Sequence, residues 1–546
     1  MYLKNTYFIV LIAFLCQAHV FAKDYFVHPK LGNDTYSGES KQKAFRTLEK
    51  ASTINYLPGD CLLLASGETF TKGLELKHCN GSKNNPIRIT SYSWDSNPTV
   101  VPATINFKGY ATGILIEDSS FIEVSNIQLT ADGYYDDLKA PSNMTCGVLI
   151  TNSTSNKMQN ISLDRLSIYD VFYEAKGFTR GKDEVKTANG TQKYGWGIRV
   201  INQNDKTLID DVIIENCSIK SVSHTGIKLT GSKKNITNIT IKNNSIERPG
   251  GPGIQMSHVK DVHVSNNHVT HSGSDDDTRK WGRGSGLWTW SASNVLIENN
   301  KFLYANGPGD SAGAHIDFNC DNIILQYNVS AYNSGGFCEI LGNNYNCAYR
   351  YNISINDGHR IKGVDGAFQE GKLFWLSGYQ GQEKKRKGPV NSYFYNNTMY
   401  SDATIVSKIA IDNTSKGILI ANNIFYLKGG AKAVLGDQYK PDSQSGDLAE
   451  DVVFKNNLFL NSESWPKDIG LFDSDPIFGN PKFSDAGGLN AADYIPTQLD
   501  LIKDKGITIE LLPNDTASSL QPLNLKKDIL GNTVTRKPSI GAIAPQ

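Results

Sequence analysis

The chain has 546 residues, with 55 basic and 55 acidic side chains, a balance that offers no broad cationic surface for nucleic acid. Its 49 glycines and frequent asparagines suit short strands joined by many turns and argue against a mainly helical protein.

The N-terminus reads MYLKNTYFIVLIAFLCQAHVFAKDY. Lys4 supplies a charged start, residues 7–15 are almost all apolar, and Val20, Phe21 and Ala22 close with a small residue. This pattern predicts a secretory signal peptide over 1–22 and an exported protein, secreted or periplasmic. Leu15 before Cys16 is too bulky for lipid attachment, and no later apolar run is long enough to span a membrane. Seven cysteines follow the leader, in no zinc-like spacing and with no CxxC. They are expected mainly as small apolar core residues, with room for a disulfide or two.

Past a cap and first coils (23–105), one motif recurs through 106–480: ITIKNNSI, VHVSNNHV, VLIENNKF, FYNNTMY, IANNIFY, VFKNNLF. An asparagine falls at 244, 267, 300, 328, 352, 397, 423 and 457. Short β-branched strands at one-coil spacing, each closing on Asn, predict an all-β, right-handed parallel β-helix (a solenoid) with a short N-terminal cap. The aligned Asn side chains are expected to bond up the stack and to have no other role. Residues 481–546 form a C-terminal extension.

A second frame begins on glycine: GIRVI from 197, GIKLT from 226, GIQMS from 253, GLWTW from 286, GAHID from 313 and GGFCE from 335. First and third positions after the glycine are mostly apolar and point inward; second and fourth point outward. One outward column then reads Arg199, Lys228, Gln255, Trp288, His315, Phe337, and its neighbour Ile201, Thr230, Ser257, Trp290, Asp317, Glu339.

In that alignment Asp317 and Glu339 stack in consecutive coils, about 4.8 Å apart at the backbone. Two carboxyls at such a separation suit retaining glycoside hydrolysis, one attacking the anomeric carbon and the other protonating the leaving oxygen. Mutual repulsion would raise one pKa and create the proton donor. His315 would orient a carboxylate or share a proton with the substrate. Trp288 and Trp290, one coil earlier, would offer stacking platforms for sugar rings. Inter-coil insertions at 271–286, 304–313 and 356–363 bring Arg283, Asp310, His359 and Arg360 to the same level as substrate-binding candidates, with Gln255 and Lys228 lower in the column. The Asp275–Asp277 triplet is a weak calcium signal without ligands at fixed spacing; no cofactor or metal site is otherwise expected.

The segments DYFVHPKLGNDTYSGESKQKAFRTLEKA, LPGDCLLLASGETF and NPIRITSY, through Gly32, Asp34, Gly38, Phe45, Thr47, Leu48, Ala51, Pro58, Gly59, Asp60, Gly67, Pro86 and Ile87, resemble the opening of right-handed parallel β-helix enzymes that act on polysaccharides. That group includes chondroitinase-B-like and alginate lyases and β-helix glycoside hydrolases. PSIGAIAPQ is similar to its terminus. The resemblance implies the fold and an exported, carbohydrate-active protein; the Asp317 and Glu339 arrangement is similar to that of β-helix xylosidases. Three readings follow. The first is a hydrolase, with Asp317, Glu339 and His315 catalytic, acting as a monomer on an acidic or sulfated polysaccharide or its oligosaccharides. The second is a polysaccharide lyase using Lys228 or Arg199 as base. The third is a non-catalytic carbohydrate-binding β-helix.

Overall fold

The computed structural model describes residues 22–545, except 96–99, 135–143, 155, 192, 382, 435–447 and 516–519. Of the expected leader, residues 1–21 lie outside the described residues. The chain winds as a parallel β-helix whose strands fall into three sheets of 14, 12 and 14 strands. In each sheet, neighbours in space are neighbours one coil apart in sequence. Strands pair in parallel with one-to-one register, for example Ile227↔Ile254 through Thr230↔Ser257. Alternation sets the faces: Ile227, Leu229, Ile254, Met256, Ala314, Ile316 and Cys338 are wholly buried in one long core.

The asparagine ladder forms as the spacing predicts. Asn244 Nδ2 donates to Asn267 Oδ1 at 2.9 Å, Asn267 to Asn300 at 2.9 Å, Asn300 to Asn328 at 3.0 Å and Asn328 to Asn352 at 3.0 Å. Asn352, Asn397 and Asn423 continue it to Asn457 at 2.9–3.0 Å. Each rung also accepts the backbone N–H of the previous one, as Asn328 Oδ1 does from Asn300 at 3.0 Å. The ladder ends on Asp473, whose carboxylate accepts from the N–H groups of Asn456 and Asn457 and from Asn457 Nδ2. The residue before each rung takes a left-handed conformation: Asn243, Asn266, Asn299, Asn396, Asn422 and Asn456 have φ of 53–59°. Asparagine tolerates that region better than other non-glycine residues, which explains the paired asparagines of the motif.

At the first end, the short helix Leu48–Ala51 is capped by Thr47, whose side chain accepts from Lys50 N, and it drives Leu48 and Ala51 into the core. At the other end, the residues after 481 lie along the asparagine corner, with Asn396 Nδ2 donating to Ser539 O and Asn422 Nδ2 to Ile507 O, both at 2.8 Å. Among the described residues all seven cysteines are free and six of them are buried, so they serve as small apolar residues rather than in disulfides.

Asn328→Ala should cost roughly 2–4 kcal/mol, because it leaves buried donors of Asn300 without their acceptor. The exposed Lys220→Ala should stay within about 0.5 kcal/mol of wild type. Urea unfolding midpoints measured side by side check this, and equal midpoints would dismiss the ladder as a source of stability.

Candidate active site

The twelve-stranded sheet carries the site. Through the strands Gly195–Ile201, Ile227–Thr230, Ile254–Ser257, Leu287–Trp290 and Ala314–Ile316, its register stacks Arg199, Lys228, Gln255, Trp288 and His315 in one outward column. The sequence frame holds to this point and then slips by two residues. Ile316 pairs with Ile340 and Ala312 bridges to Gly336, so Glu339 stands over His315, and Leu341 rather than Glu339 follows Asp317. The expected stacking of Asp317 on Glu339 is therefore corrected to a diagonal placement.

The slip has a physical cause. The frame glycines sit at a corner where consecutive coils crowd each other. A Cβ at Gly147, Gly197, Gly226, Gly253 or Gly286 would meet the next glycine's carbonyl oxygen at 2.3–2.8 Å. After Gly313 the column ends in Phe337, a wholly buried ring packed edge-on against Tyr349 at 5.3 Å. Gly335 is needed elsewhere, since a Cβ there would overlap the Asp310 carbonyl. A two-residue shift preserves the in–out alternation, so periodicity could not reveal it.

Three carboxyls converge on this face, each in a different electrostatic setting. Asp310 sits on the 304–313 insertion with φ of 45°, followed by Ser311 at 63°, a left-handed pair that the surroundings hold in place. Its N–H donates to Gln369 Oε1 at 2.6 Å, and its carbonyl accepts from Arg360 Nη1 at 3.0 Å. Its carboxylate forms a two-nitrogen ion pair with Arg283, both distances 2.9 Å. Burial works against ionising Asp310, but the charge and hydrogen bond of Arg283 prevail and hold its pKa below the usual carboxylate value. Arg283 is itself fixed by the carbonyls of Val185, Lys186 and Thr187 at 3.2–3.3 Å.

Asp317 is the opposite case. Burial, reinforced by the Asp310 charge and only partly offset by the Phe318 N–H and Arg283, pushes its carboxyl up to about 7. The Phe318 N–H donates to its Oδ1 at 2.8 Å. Glu339, 7% exposed, is also raised, by burial first; Lys372 opposes, while Asp310 and Asp317 add to the shift. His315 is buried and bonded through Nδ1 to Ser285 Oγ at 3.1 Å. Burial lowers its pKa to about 4, so the imidazole is neutral at ordinary pH. Trp288 lies parallel to it, ring centres 6.1 Å apart at 6°.

The remaining expected residues divide. Trp290 is half-buried on the neighbouring column, edge-on to His258 at 4.9 Å and to Phe318 at 5.9 Å. Gln255 and Lys228 lie lower down the Trp288 column and share Asn189 Oδ1. Arg360 braces the Asp310 loop through the carbonyls of Gly307, Asp310 and Gln369. His359 is exposed in a groove behind that loop, together with Asp275. Asp276 and Asp277 pair with Arg248, Lys280 and Arg279. Among the described residues, no group of three or more His, Cys, Asp or Glu side chains could hold a metal ion. Asp357 is drawn into a second ladder, accepting from Asn333 N and Nδ2 at 2.9 Å.

Sequence reasoning missed Lys372 and Trp375. Trp375 follows Glu339 in the column, and the Lys372 ammonium lies 3.7 Å from its ring centre. The signal was present in GKLFWL from 371, one more glycine-led strand.

A family model described as "Right handed beta helix region" matches residues 196–365, the stretch that holds all three carboxyls. The lacto-N-biosidase of Bifidobacterium longum subsp. longum is 25% identical over 616 residues, covering 95% of this chain and 36% of that protein. The chain thus spans about a third of the length of this curated relative. The crystal structure of a lacto-N-biosidase from Eubacterium ramulus superposes with a TM-score of 0.54 at 17% identity, covering 84% of this chain and 68% of that one. The fold is the right-handed parallel β-helix, and the resemblance is to carbohydrate-cleaving enzymes built on it.

The proton on Asp317 gives a test on stability. Between about pH 4 and about pH 7 the folded chain binds a proton at Asp317 that the unfolded chain has released. Wild type therefore loses stability at this site as pH rises through that window, and Asn, which cannot ionise, does not. The melting temperature of Asp317→Asn relative to wild type should climb from pH 4 to pH 8. A difference that stays flat would show that Asp317 ionises normally.

Proposed function

We propose that the chain is an exported glycoside hydrolase in which Asp317 is the proton donor and Asp310 the ionised carboxylate partner. The observation that supports this most is the split between them: an arginine keeps Asp310 charged, while burial keeps Asp317 protonated. Carboxyls driven apart in this way mark acid and base roles. Asp310 replaces Glu339 in the pair expected from sequence, because Glu339 stands over His315 and shares Asp317's raised pKa. Glu339 and neutral His315 then serve as a hydrogen-bonding floor, with Trp288 as the sugar platform.

In the retaining course, Asp310 Oδ bonds to the anomeric carbon as the glycosidic C–O bond breaks, and Asp317 delivers its proton to the departing oxygen. Water then attacks the same carbon and gives a proton to Asp317, and the bond to Asp310 breaks. Both relatives bear the name lacto-N-biosidase, which makes lacto-N-biosides the first substrates to try, alongside acidic and sulfated oligosaccharides.

A lyase has one observation in its favour: Lys228, lowered to about 7, would be a competent base near neutrality. Its position three coils from His315 counts against it, and the products separate the two readings.

Incubation with a substrate panel should yield new reducing ends without the ultraviolet absorbance of unsaturated uronates. Asp317→Asn should lower kcat about 10³-fold on natural glycosides, and much less on aryl glycosides whose leaving group needs no proton. Asp310→Asn should lose activity on both. The basic limb of kcat/KM should fall near pH 7. Wild-type rates in both variants, or unsaturated products, would reject this assignment.

A further inference from the structure

The column that carries Trp288 and His315 continues downward into a second polar group, which the carboxyl chemistry does not use. Arg199 and Lys228 pair in register, and Gln255 follows in the next coil. All three are buried, at 6%, 6% and 3% exposure. The Lys228 ammonium donates weakly to Asn189 Oδ1 at 3.5 Å and lies 4.9 Å from the centre of the Trp196 ring. The Arg199 guanidinium lies over the same ring at 4.4 Å. Gln255 Nε2 donates to Asn189 Oδ1 at 3.3 Å, while Gln255 Oε1 and the Trp196 indole N–H have no hydrogen-bond partner.

Burying an ammonium beside a guanidinium is costly without a counter-charge. Among the described residues no carboxylate pairs with Lys228; burial and the charge of Arg199 both lower its pKa, to about 7. A donor-rich, cationic group of side chains with unmatched polar atoms at Gln255 and Trp196, on the same outward column as Trp288, has the composition of an anion site. Three coils separate Lys228 from His315, or about 14 Å at the usual strand spacing. That places Lys228 and its neighbours beyond the reach of the sugar being cut and within reach of one further along the chain.

We infer that Lys228, Arg199, Gln255 and Trp196 form a substrate subsite for one anionic substituent, a carboxylate or a sulfate ester, on a sugar some residues from the scissile bond. The assignment deepens the hydrolase reading, and rests on it for the direction of the bound chain. The anion supplies a counter-charge to Lys228, which takes up a proton on binding, and the Gln255 amide is left for a neighbouring hydroxyl.

Calorimetric titration of the full chain with methyl glucuronide and, separately, with inorganic sulfate tests this. At pH 6 at least one probe should bind, with proton uptake that scales with the ionisation heat of the buffer. Affinity should be weaker by about tenfold or more at pH 8.5, as Lys228 discharges. Lys228→Gln, which also removes a buried charge and should fold, should abolish binding, and Lys228→Arg should recover part of it. Binding of the glucuronide alone assigns a carboxylate; binding of sulfate alone assigns the ester. Absence of binding by both probes, or equal binding in Lys228→Gln, overturns the subsite. Anion binding by a wild-type chain that cleaves no glycoside of the panel would defeat the hydrolase reading alone.

Discussion

A single chain of side-chain amides holds the stack in register, and every outward side chain owes its neighbours to it. From Asn244 to Asn457 each buried amide donates to the next and accepts a backbone N–H from the one before. A parallel sheet alone fixes register weakly, since a slip of two residues keeps the same faces buried. A buried amide with no partner costs on the order of 1–3 kcal/mol, so the ladder turns such a slip into a large penalty. The column of Lys228, Gln255, Trp288, His315 and Glu339 is a consequence of that penalty.

The loops add what the ladder cannot. They leave the stack where insertions break the coil spacing, and there Arg283, Arg360 and Gln369 hold Asp310 in a left-handed turn against the sheet. The sheet supplies Glu339 from within the strand Gly336–Ile340 and Asp317 from the residue just after Ala314–Ile316, and the loop supplies a charge already tied to an arginine. The carboxyls that result differ in protonation because their surroundings differ, one paired with a cation and the others buried without equal compensation.

Much of this was legible in the chain. The coils, the rungs and the outward column up to His315 follow from residue type at fixed spacing, because a repeated fold repeats its constraints. Paired asparagines carried a double message, a left-handed corner followed by a rung. The frame failed at Phe337, where a bulky core residue replaced the corner glycine while two glycines nearby served a loop crossing. Asp310 was placed at the right level but without its ion-pair partner, since Arg283 lies on a different insertion and only the fold brings the two together. Lys372 was missed one coil further on, although the same glycine signal preceded it.

The ladder also has a direction. Every rung donates its backbone N–H and one amide hydrogen to the following rung and turns its side-chain oxygen toward the preceding one. Its second amide hydrogen bonds a carbonyl of the preceding coil. The series can therefore begin on any backbone N–H but must finish on an acceptor. Asp473 meets that need with three incoming hydrogen bonds, and a neutral donor in its place would not. The solenoid is thus a polar rod with a defined last turn, unable to add a further identical coil without first displacing its own terminator. Its length is set by chemistry at the tip, in the way a growing crystal face is stopped by an impurity that binds but cannot be built upon.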